Sequence, residues 1–338
     1  MNDNTYEIPR QRHKNLLIVE GKHEENDLFH IIFHAFPEIE ITMEDIMIYG
    51  TNIYDLYNYI VREYGDYWYE DDVDLPFIVG KKIDHPITLN KKDFINVYLV
   101  FDYEHHDPKF CEQKIEHMQR YFYDSTDMGK LYLNYPMIES YKHFTCFPDN
   151  NFENLTVDVT LKPGSKYKDL VHDSYVDSLV KFPRKIMGLL YNHYNIRDIV
   201  DCKFYCDQLL EISNPDDLHE NIKRIFNKAL SEEDLNKSLK HFNALLSDKE
   251  HIKNYMSYYE HMRNILREII VHNIKKASKI QSTYSNTSDY DELYELLDLN
   301  DILKEQNNVS KDVLLGYIWV LNTCIFIVPD YNIKLLQS

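Results

Sequence analysis

The chain has 338 residues, enough for one large domain or two ordinary ones, and 44% of them are hydrophobic, enough to build a sizeable core. Only 8 glycines and 11 prolines argue against a low-complexity or an all-β chain. With 56 acidic and 37 basic residues the formal net charge is −19, which excludes broad non-specific binding to nucleic acid. A nucleic-acid function therefore needs metal ions, a local basic patch or a partner to neutralise the phosphates.

No apolar segment preceded by positive charge opens the sequence, and no apolar run reaches transmembrane length. We therefore expect a cytoplasmic protein with no membrane partner. The five cysteines are an odd number for a chain of this size and fit reduced thiols better than a disulfide framework.

Two short apolar runs end in carboxylates. Residues 16–19 precede Glu20, and residues 97–101 precede Asp102 and Glu104. Both runs are too short for a helix and rich in β-branched residues, so they are predicted to be buried strands. Because the carboxyl ends of neighbouring parallel strands line the ligand crevice of an α/β sheet, these acids are expected to lie together. Clustered carboxylate oxygens suit Mg²⁺ or Mn²⁺.

The remaining pattern alternates between strands and helices up to about residue 150 and is helical beyond it. The segment 65–93 has no such pattern and is predicted to be an insertion or long loop, with a lid or a partner surface as its role. Further strands are predicted at 46–49 and 131–135, with helices at 24–36, 52–64 and 109–123. In the second half, helices are predicted at 175–191, 216–229, 232–247, 255–277, 293–304 and 313–327.

The acids occur in a recognisable pattern. Val19-Glu20-Gly21-x-x-Glu24 follows the first apolar strand, and Asp102-x-Glu104 ends the later one. Over residues 15 to 145 this pattern resembles the Toprim domain of topoisomerases, bacterial primases, small RNA maturases and OLD-family nucleases. Toprim domains usually have Asp-x-Asp at the second strand, where this chain has Glu104. The segment 135–141, which contains Glu139, is similar to an element that follows the acidic pair in OLD-like and PARIS-type defence proteins.

The resemblance implies a Toprim-like parallel sheet flanked by helices in a catalytic domain at 1–150, followed by a mainly α-helical domain at 151–338. It also implies a Mg²⁺- or Mn²⁺-dependent nuclease acting as an anti-phage defence or toxin-like effector. In that scheme Asp102 and Glu104 are the main metal ligands and Glu20 is a ligand or general base. Glu24 and Glu139 are further catalytic candidates.

The partners are less closely defined by the sequence. Nothing fits the P-loop pattern Gly-x-x-x-x-Gly-Lys-Ser/Thr, whereas OLD proteins carry an ATPase in the same chain. The chain is therefore expected to act alone or with a separate ATPase or sensor protein. The helical half is expected to grip substrate, form a homodimer or dock to a partner. With no dense basic groove, a structured RNA such as tRNA is favoured over DNA as the substrate.

Other interpretations stay open at this stage. A Toprim-like module could bind nucleic acid or regulate a partner ATPase without cutting. Asp102-x-Glu104 also has some similarity to the nucleophile strand of haloacid-dehalogenase-like phosphatases, and Arg267 with His272 has the spacing of HEPN ribonucleases. His105 and His106 are either further site residues or an exposed pair, and Lys142 is expected to be an ordinary surface lysine.

Overall fold

The computed structural model describes residues 15–22, 24–161, 166–227, 229–281, 289–312 and 315–337. It confirms the α/β class, with a mostly parallel five-stranded sheet and many helices. The strands are β1 (Asn15–Val19), β2 (Ile46–Ile48), β3 (Asn96–Asp102), β4 (Tyr123–Asp124), β5 (Gly129–Asn134), β6 (Thr156–Asp158) and β7 (Tyr317–Trp319). The helices are α1 (Glu24–Ala35), α2 (Ile53–Tyr64), α3 (Leu75–Lys82), α4 (Glu112–Tyr121), α5 (Lys168–Val171), α6 (Tyr175–Val180), α7 (Phe182–His193), α8 (Ile199–Leu210), α9 (Leu218–Phe226), α10 (Glu232–Leu246), α11 (Glu250–Lys253), α12 (Tyr258–Ile280), α13 (Tyr290–Glu295), α14 (Leu299–Ser310) and α15 (Ile327–Asn332).

The main sheet has the strand order β2-β1-β3-β5-β4. The first four strands in this order are parallel, and the short β4 pairs antiparallel with β5 at the edge. Every residue of β1 is buried, as are all but the first of β3, because helices cover both faces. This explains why these strands appear in the sequence as continuous apolar runs without alternation. In the register, Val19 lies opposite Val100 and Asp102 lies opposite Asn134.

The helix α1 follows β1 and buries one apolar face. Leu28, Ile31 and Ile32 lie on that face at helical spacing and are almost fully buried. The neighbours of α1 include α12 and α6, so the second half of the chain covers this helix. In the first turn of α1, Glu25 reaches back to the end of β1, where it accepts the backbone N–H of Gly21.

Residues 65–93 are ordered as part of the core rather than as an extended loop. They contain α3 and two short 3₁₀ segments. Trp68, Val73, Leu75 and Val79 are completely buried. The apolar side chains of residues 65–93 therefore belong to the hydrophobic core. The prediction of a loop missed this because it was based on the charges and prolines of the segment.

The second half is built around the 23-residue helix α12. Ser257 caps its first turn by accepting a hydrogen bond from the backbone N–H of Glu260, whose side chain bonds back to the Ser257 N–H. Near its other end, the amine of Lys276 is fully buried and donates to the carbonyls of Phe152 and Leu155. The helix therefore joins the second half of the chain to the segment that follows the sheet.

The predicted helix at 313–327 is wrong in the described part of that range. Residues 317–319 form β7, which pairs with β6, and Leu321 makes an isolated bridge to Tyr135. Asn322 accounts for the break, because its side chain donates to the carbonyl of Ile138 and its backbone N–H donates to the side chain of Asn273. This stretch consequently packs against the sheet half of the chain.

In the ranges that the structure describes, no helix has both the length and the apolarity needed to cross a membrane.

Candidate metal centre at the carboxyl edge of the sheet

Glu20 and Asp102 lie side by side because their strands are neighbours. Glu20 follows the last residue of β1, and Asp102 is the last residue of β3. The backbone N–H of Asp102 donates to Oε2 of Glu20 across 3.1 Å. The sequence-based expectation that these two acids share one edge of the sheet agrees with this geometry.

Asp102 is buried and Glu20 is half-buried, and other acids surround both side chains. Burial raises the pKa of Glu20 to about 8, against the opposing effect of the Asp102 N–H, and the charges of Glu104 and Glu25 add to the rise. Burial also raises the pKa of Asp102 well above its usual range, and the neighbouring charge of Glu20 acts in the same direction. We call Glu20, Glu25, Asp102 and Glu104 the acidic cluster.

Glu104 reaches this cluster from a constrained turn. Its φ angle of 47° lies in the left-handed region, which a residue with a side chain adopts only when its surroundings enforce it. Its carbonyl accepts the N–H of Asp107 across 2.9 Å, which closes the turn. Burial and then the charge of Asp107 raise the pKa of the Glu104 carboxyl. Glu104 and Glu20 are only partly buried, so these two members of the cluster are more open to a ligand than Glu25 and Asp102.

Glu25 is a member of the cluster that the sequence analysis missed. It is only 7% exposed, and its Oε1 accepts the backbone N–H of Gly21 across 2.8 Å. A Cβ atom at position 21 would lie 2.9 Å from that same oxygen, so a larger residue there would displace the Glu25 carboxylate from its present position. Burial raises the pKa of Glu25. The signal available in the sequence was a pair of consecutive acids at the start of a helix.

Glu24, which the sequence analysis gave as a catalytic candidate, lies instead in a network of ion pairs. Its Oε1 lies 2.6 Å from the amine of Lys142 and accepts the hydroxyl of Tyr141 across 2.7 Å. Lys142 also contacts Asp177 at 3.0 Å, and Asp177 contacts Lys181 at 2.5 Å. We call Glu24, Lys142, Asp177 and Lys181 the lysine network.

The expectation that Lys142 is a surface residue is wrong. Its side chain is 4% exposed, because the segment after β5 folds it inward between Glu24 and Asp177. Burial acting alone would raise the pKa of Asp177, but hydrogen bonds from Lys181 and Lys142 hold it below its usual value. Each carboxylate of the lysine network therefore has a cationic partner.

Glu139 lies beside the acidic cluster, as its charge contributes to the raised pKa values of Asp102 and Glu25. Its Oε1 lies 2.8 Å from the amine of Lys168, whereas its Oε2 is buried without a hydrogen-bond partner in the described part of the chain. Lys168 was not predicted from the sequence, and about half of its side chain is exposed. It therefore places a positive charge at the rim of an otherwise acidic site.

A second unpartnered polar group lies at the end of β5. Nδ2 of Asn134 is buried without a partner among the described residues, although its Oδ1 accepts the N–H of Cys324 at 3.2 Å. Asn134 lies opposite Asp102 in the register of the sheet. Buried polar atoms without partners are rare in folded proteins, and they are expected where a ligand is bound.

The donor set fits a hard divalent cation, since carboxylate oxygens are the ligands that Mg²⁺ and Mn²⁺ prefer. The conformation described here does not gather those oxygens around one point. No three members of the acidic cluster bring ligand atoms within 4.8 Å of one another. Side-chain rotation is therefore required before Glu20, Asp102 and Glu104 can share an ion.

His105 and the HEPN-like pair occupy structural positions. His105 stacks on Tyr103 and packs against Phe110, and burial lowers its pKa. The Nδ1–H of His272 donates to a carbonyl of its own helix, and its Nε2 accepts the N–H of Asp149 across 3.1 Å. Nε of Arg267 donates to the carbonyl of Leu335. Both ring nitrogens of His272 are thus engaged in holding the fold.

Comparisons with known proteins add no assignment. No protein-family model matches the chain, and neither a curated protein nor a solved structure shows significant similarity to it.

Proposed function

We propose that the chain is a metal-dependent nuclease of the Toprim type that hydrolyses RNA or DNA. The observation that carries the proposal is the pairing of Glu20 with Asp102 at adjacent parallel strand ends, inside a group of carboxyl groups whose pKa values are raised. A bound cation reduces the repulsion among these carboxylates. The same cation would attract the negatively charged phosphate groups of a nucleic acid. The Toprim-like motif supports the same assignment.

Asp102, Glu104 and Glu20 would hold Mg²⁺ or Mn²⁺, which would neutralise phosphate charge and position a water molecule. Where Asp102 and Glu104 alone hold the ion, Glu20 would instead act as the general base that takes a proton from this water. Lys168, at the rim, is placed to contact a phosphate oxygen. Glu139 and Nδ2 of Asn134, which has no hydrogen-bond partner among the described residues, would add polar contacts beneath the site.

Several basic side chains elsewhere are engaged within the protein. Lys276 is buried, Lys279 bonds to Asn154, and Arg184 contacts Asp27 at 2.5 Å. These residues supply no broad positive surface, so substrate recognition in this proposal depends on the site and its rim. We retain structured RNA, including tRNA, as the favoured substrate over long duplex DNA, and we propose that cleavage serves as an anti-phage or toxin-like activity.

The test is cleavage of a panel of tRNA, total cellular RNA, single-stranded DNA and plasmid DNA with Mg²⁺, Mn²⁺ or EDTA. Asp102→Asn and Glu20→Gln keep side-chain size while removing charge, and Glu44→Gln is the matched control, because Glu44 is exposed and outside the cluster. We expect metal-dependent cleavage by the wild type and Glu44→Gln, with loss in both site variants. Cleavage that survives in Asp102→Asn would contradict the proposal.

The second candidate is a Toprim-like module that binds nucleic acid or regulates a partner ATPase without cutting. The observations that favour it are the net charge of −19 and the lack of three converged ligand atoms within the acidic cluster. Metal-dependent binding of a panel member without cleavage would support this module. In a bacterial host, growth arrest on expression of the wild type but not of Asp102→Asn would support the effector role.

A further inference from the structure

A second group of ligand-type side chains lies between α1 and α8. His30 and His34 are one turn apart on α1, and Asp207 faces them from α8. One ligand atom from each of the three lies within 4.8 Å of the others, and no other group of three His, Cys, Asp or Glu side chains in the described ranges meets this criterion. We propose that His30, His34 and Asp207 form a binding site for a divalent transition-metal ion of the Zn²⁺ class.

The ring of His34 is oriented as a metal ligand would be. Its Nδ1 lies 2.8 Å from the carbonyl of His30, and a carbonyl can only accept, so Nδ1 carries the proton. The lone pair of Nε2 is then available. Metal-ligating histidines characteristically donate their second ring nitrogen to a carbonyl or carboxylate in this way, which fixes both the tautomer and the ring orientation. His34 also stacks on Tyr259 at 4.6 Å, which restrains the plane of the ring.

His30 and Asp207 are already connected through a hydroxyl group. Nε2 of His30 lies 3.9 Å from Oδ1 of Asp207, and the hydroxyl of Tyr259 lies 3.2 Å from the former and donates to the latter at 3.0 Å.

The donor types and spacing suit zinc better than magnesium. Imidazole nitrogens with one carboxylate are typical of Zn²⁺, whereas Mg²⁺ requires oxygen ligands. Tetrahedral Zn²⁺ ligands lie about 3 to 3.5 Å apart, so a closure of at most roughly 1.5 Å is needed from the present separations, which are all within 4.8 Å. About a third of each of the His30 and Asp207 side chains is exposed, and such side chains can rotate by that amount.

The site has an approach from solvent and a candidate fourth ligand. His30 and Asp207 line a cleft of about 550 Å³, and His34 and Glu211 line a neighbouring cleft of about 380 Å³. Glu211 lies one turn beyond Asp207 along α8, close enough to His34 for that ring to affect its pKa. The pair His30 and His34 on α1 therefore faces the pair Asp207 and Glu211 at the end of α8.

A bound ion would connect the sheet half of the chain to its helical half. His34 lies nine residues beyond Glu25 on the same helix, or about 14 Å along its axis. The site is thus separate from the acidic cluster, while it would fix the position of the helix that carries Glu25. This inference does not depend on the nuclease proposal.

The experiment is binding of Zn²⁺ to the full chain by calorimetry, with Co²⁺ absorption as a report of coordination. The variants are His34→Ala and Asp207→Asn, with His219→Ala as the matched control because His219 is exposed on α9. Asp102→Asn separates this site from the acidic cluster. We expect one equivalent of Zn²⁺ and an intense Co²⁺ spectrum in the wild type, His219→Ala and Asp102→Asn.

In His34→Ala and Asp207→Asn the affinity should fall by at least about 100-fold, with loss of the Co²⁺ spectrum. Zn²⁺ should also raise the Tm of the wild type but not that of His34→Ala. Unchanged binding in both site variants would overturn the proposal, as would binding that is lost in Asp102→Asn and kept in His34→Ala. Because none of these readouts is cleavage, failure of the nuclease proposal would leave the result unaffected.

Discussion

Glu24 and Glu25 are consecutive in the sequence, yet they lie in opposite electrostatic surroundings. Glu24 belongs to the lysine network, in which each carboxylate has a lysine partner. Glu25 belongs to the acidic cluster, in which burial and like charges raise the pKa values of all four members. The comparison shows that one helix start places two adjacent acids in different surroundings, one beside a lysine and one among other carboxyl groups.

The difference lies in what neutralises the charge. In the lysine network the protein itself supplies the cation, so the carboxylates are satisfied in the folded chain. Beside the acidic cluster, the cation found among the described residues is Lys168, which contacts Glu139 rather than the cluster members. Clustered carboxyl groups without cationic partners reduce the stability of the free protein, and proteins generally retain such clusters where function requires them. The predictions below test this contrast.

The largest expected effect is the loss of the cation at the centre of the lysine network. Lys142→Met keeps the length of the side chain but leaves the buried carboxylates of Glu24 and Asp177 without their shared partner. Removing one partner of a buried ion pair costs about 3 to 5 kcal/mol of unfolding free energy. Urea denaturation at neutral pH measures this loss.

Lys181→Met is the control, because Lys181 contacts the same Asp177 from a position that is 34% exposed. Its loss is expected to be no more than about 1 kcal/mol, as for solvent-screened pairs. Equal losses in the two variants would show that the burial of Lys142 has no energetic consequence.

The next largest effect separates the two neighbouring acids. Glu25→Gln should lower the metal-dependent cleavage rate by about 10- to 100-fold, because it alters the charge beside the predicted metal ligands and the contact to Gly21. Glu24→Gln should lower the rate less, since Glu24 faces Lys142 and Tyr141. Rates measured across a Mg²⁺ titration make the comparison. A larger loss in Glu24→Gln would restore the original motif assignment.

A smaller effect concerns pH. The pKa of Glu20 is about 8 in the folded chain and near 4.5 when unfolded, so the folded state binds the extra proton between these values. Its contribution to stability is therefore complete below pH 4.5 and is lost as the pH rises through 8. From pH 6.5 to 8 in EDTA, the unfolding free energy should fall by roughly 1 to 2 kcal/mol.

Mg²⁺ should reduce the fall in unfolding free energy between pH 6.5 and 8, and Glu20→Gln should remove most of that fall. The window starts at pH 6.5 because burial lowers the pKa of His251 to about 4, so the contribution of this histidine is complete above 6.5 and is lost as the pH falls toward 4. A stability that rises from pH 6.5 to 8 in EDTA would show that the acidic cluster is not strained.

The sequence was sufficient for the features that depend on local pattern. The apolar runs before Glu20 and Asp102 predicted two adjacent buried strands, and the abrupt change to carboxylates predicted the edge where they meet. The position of Glu25 was not predictable in the same way, because the rotation of α1 about its axis decides which of two consecutive acids turns inward. Helix phase at the first turn is set by packing over the whole helix.

The burial of Lys142 and the return of residues 317–327 depend on contacts between distant parts of the chain. Lys142 meets Asp177 and β7 meets β6, each across a long separation in the sequence. Neither partner can be identified from local composition. The histidine site was missed for the same reason, since His30 and Asp207 come together only when α8 packs near α1.

The smallest expected effect tests whether residues whose polar atoms are already hydrogen-bonded within the fold can be catalytic. Arg267 and His272 have the spacing of a ribonuclease pair, but Arg267 bonds to the Leu335 carbonyl and both ring nitrogens of His272 are engaged. Arg267→Lys should change cleavage by less than about twofold and cost about 1 kcal/mol of stability for the hydrogen bond. Cleavage assays beside Asp102→Asn supply the measurement. A loss as large as that of Asp102→Asn would move the active site to α12 and leave the acidic cluster without a catalytic role.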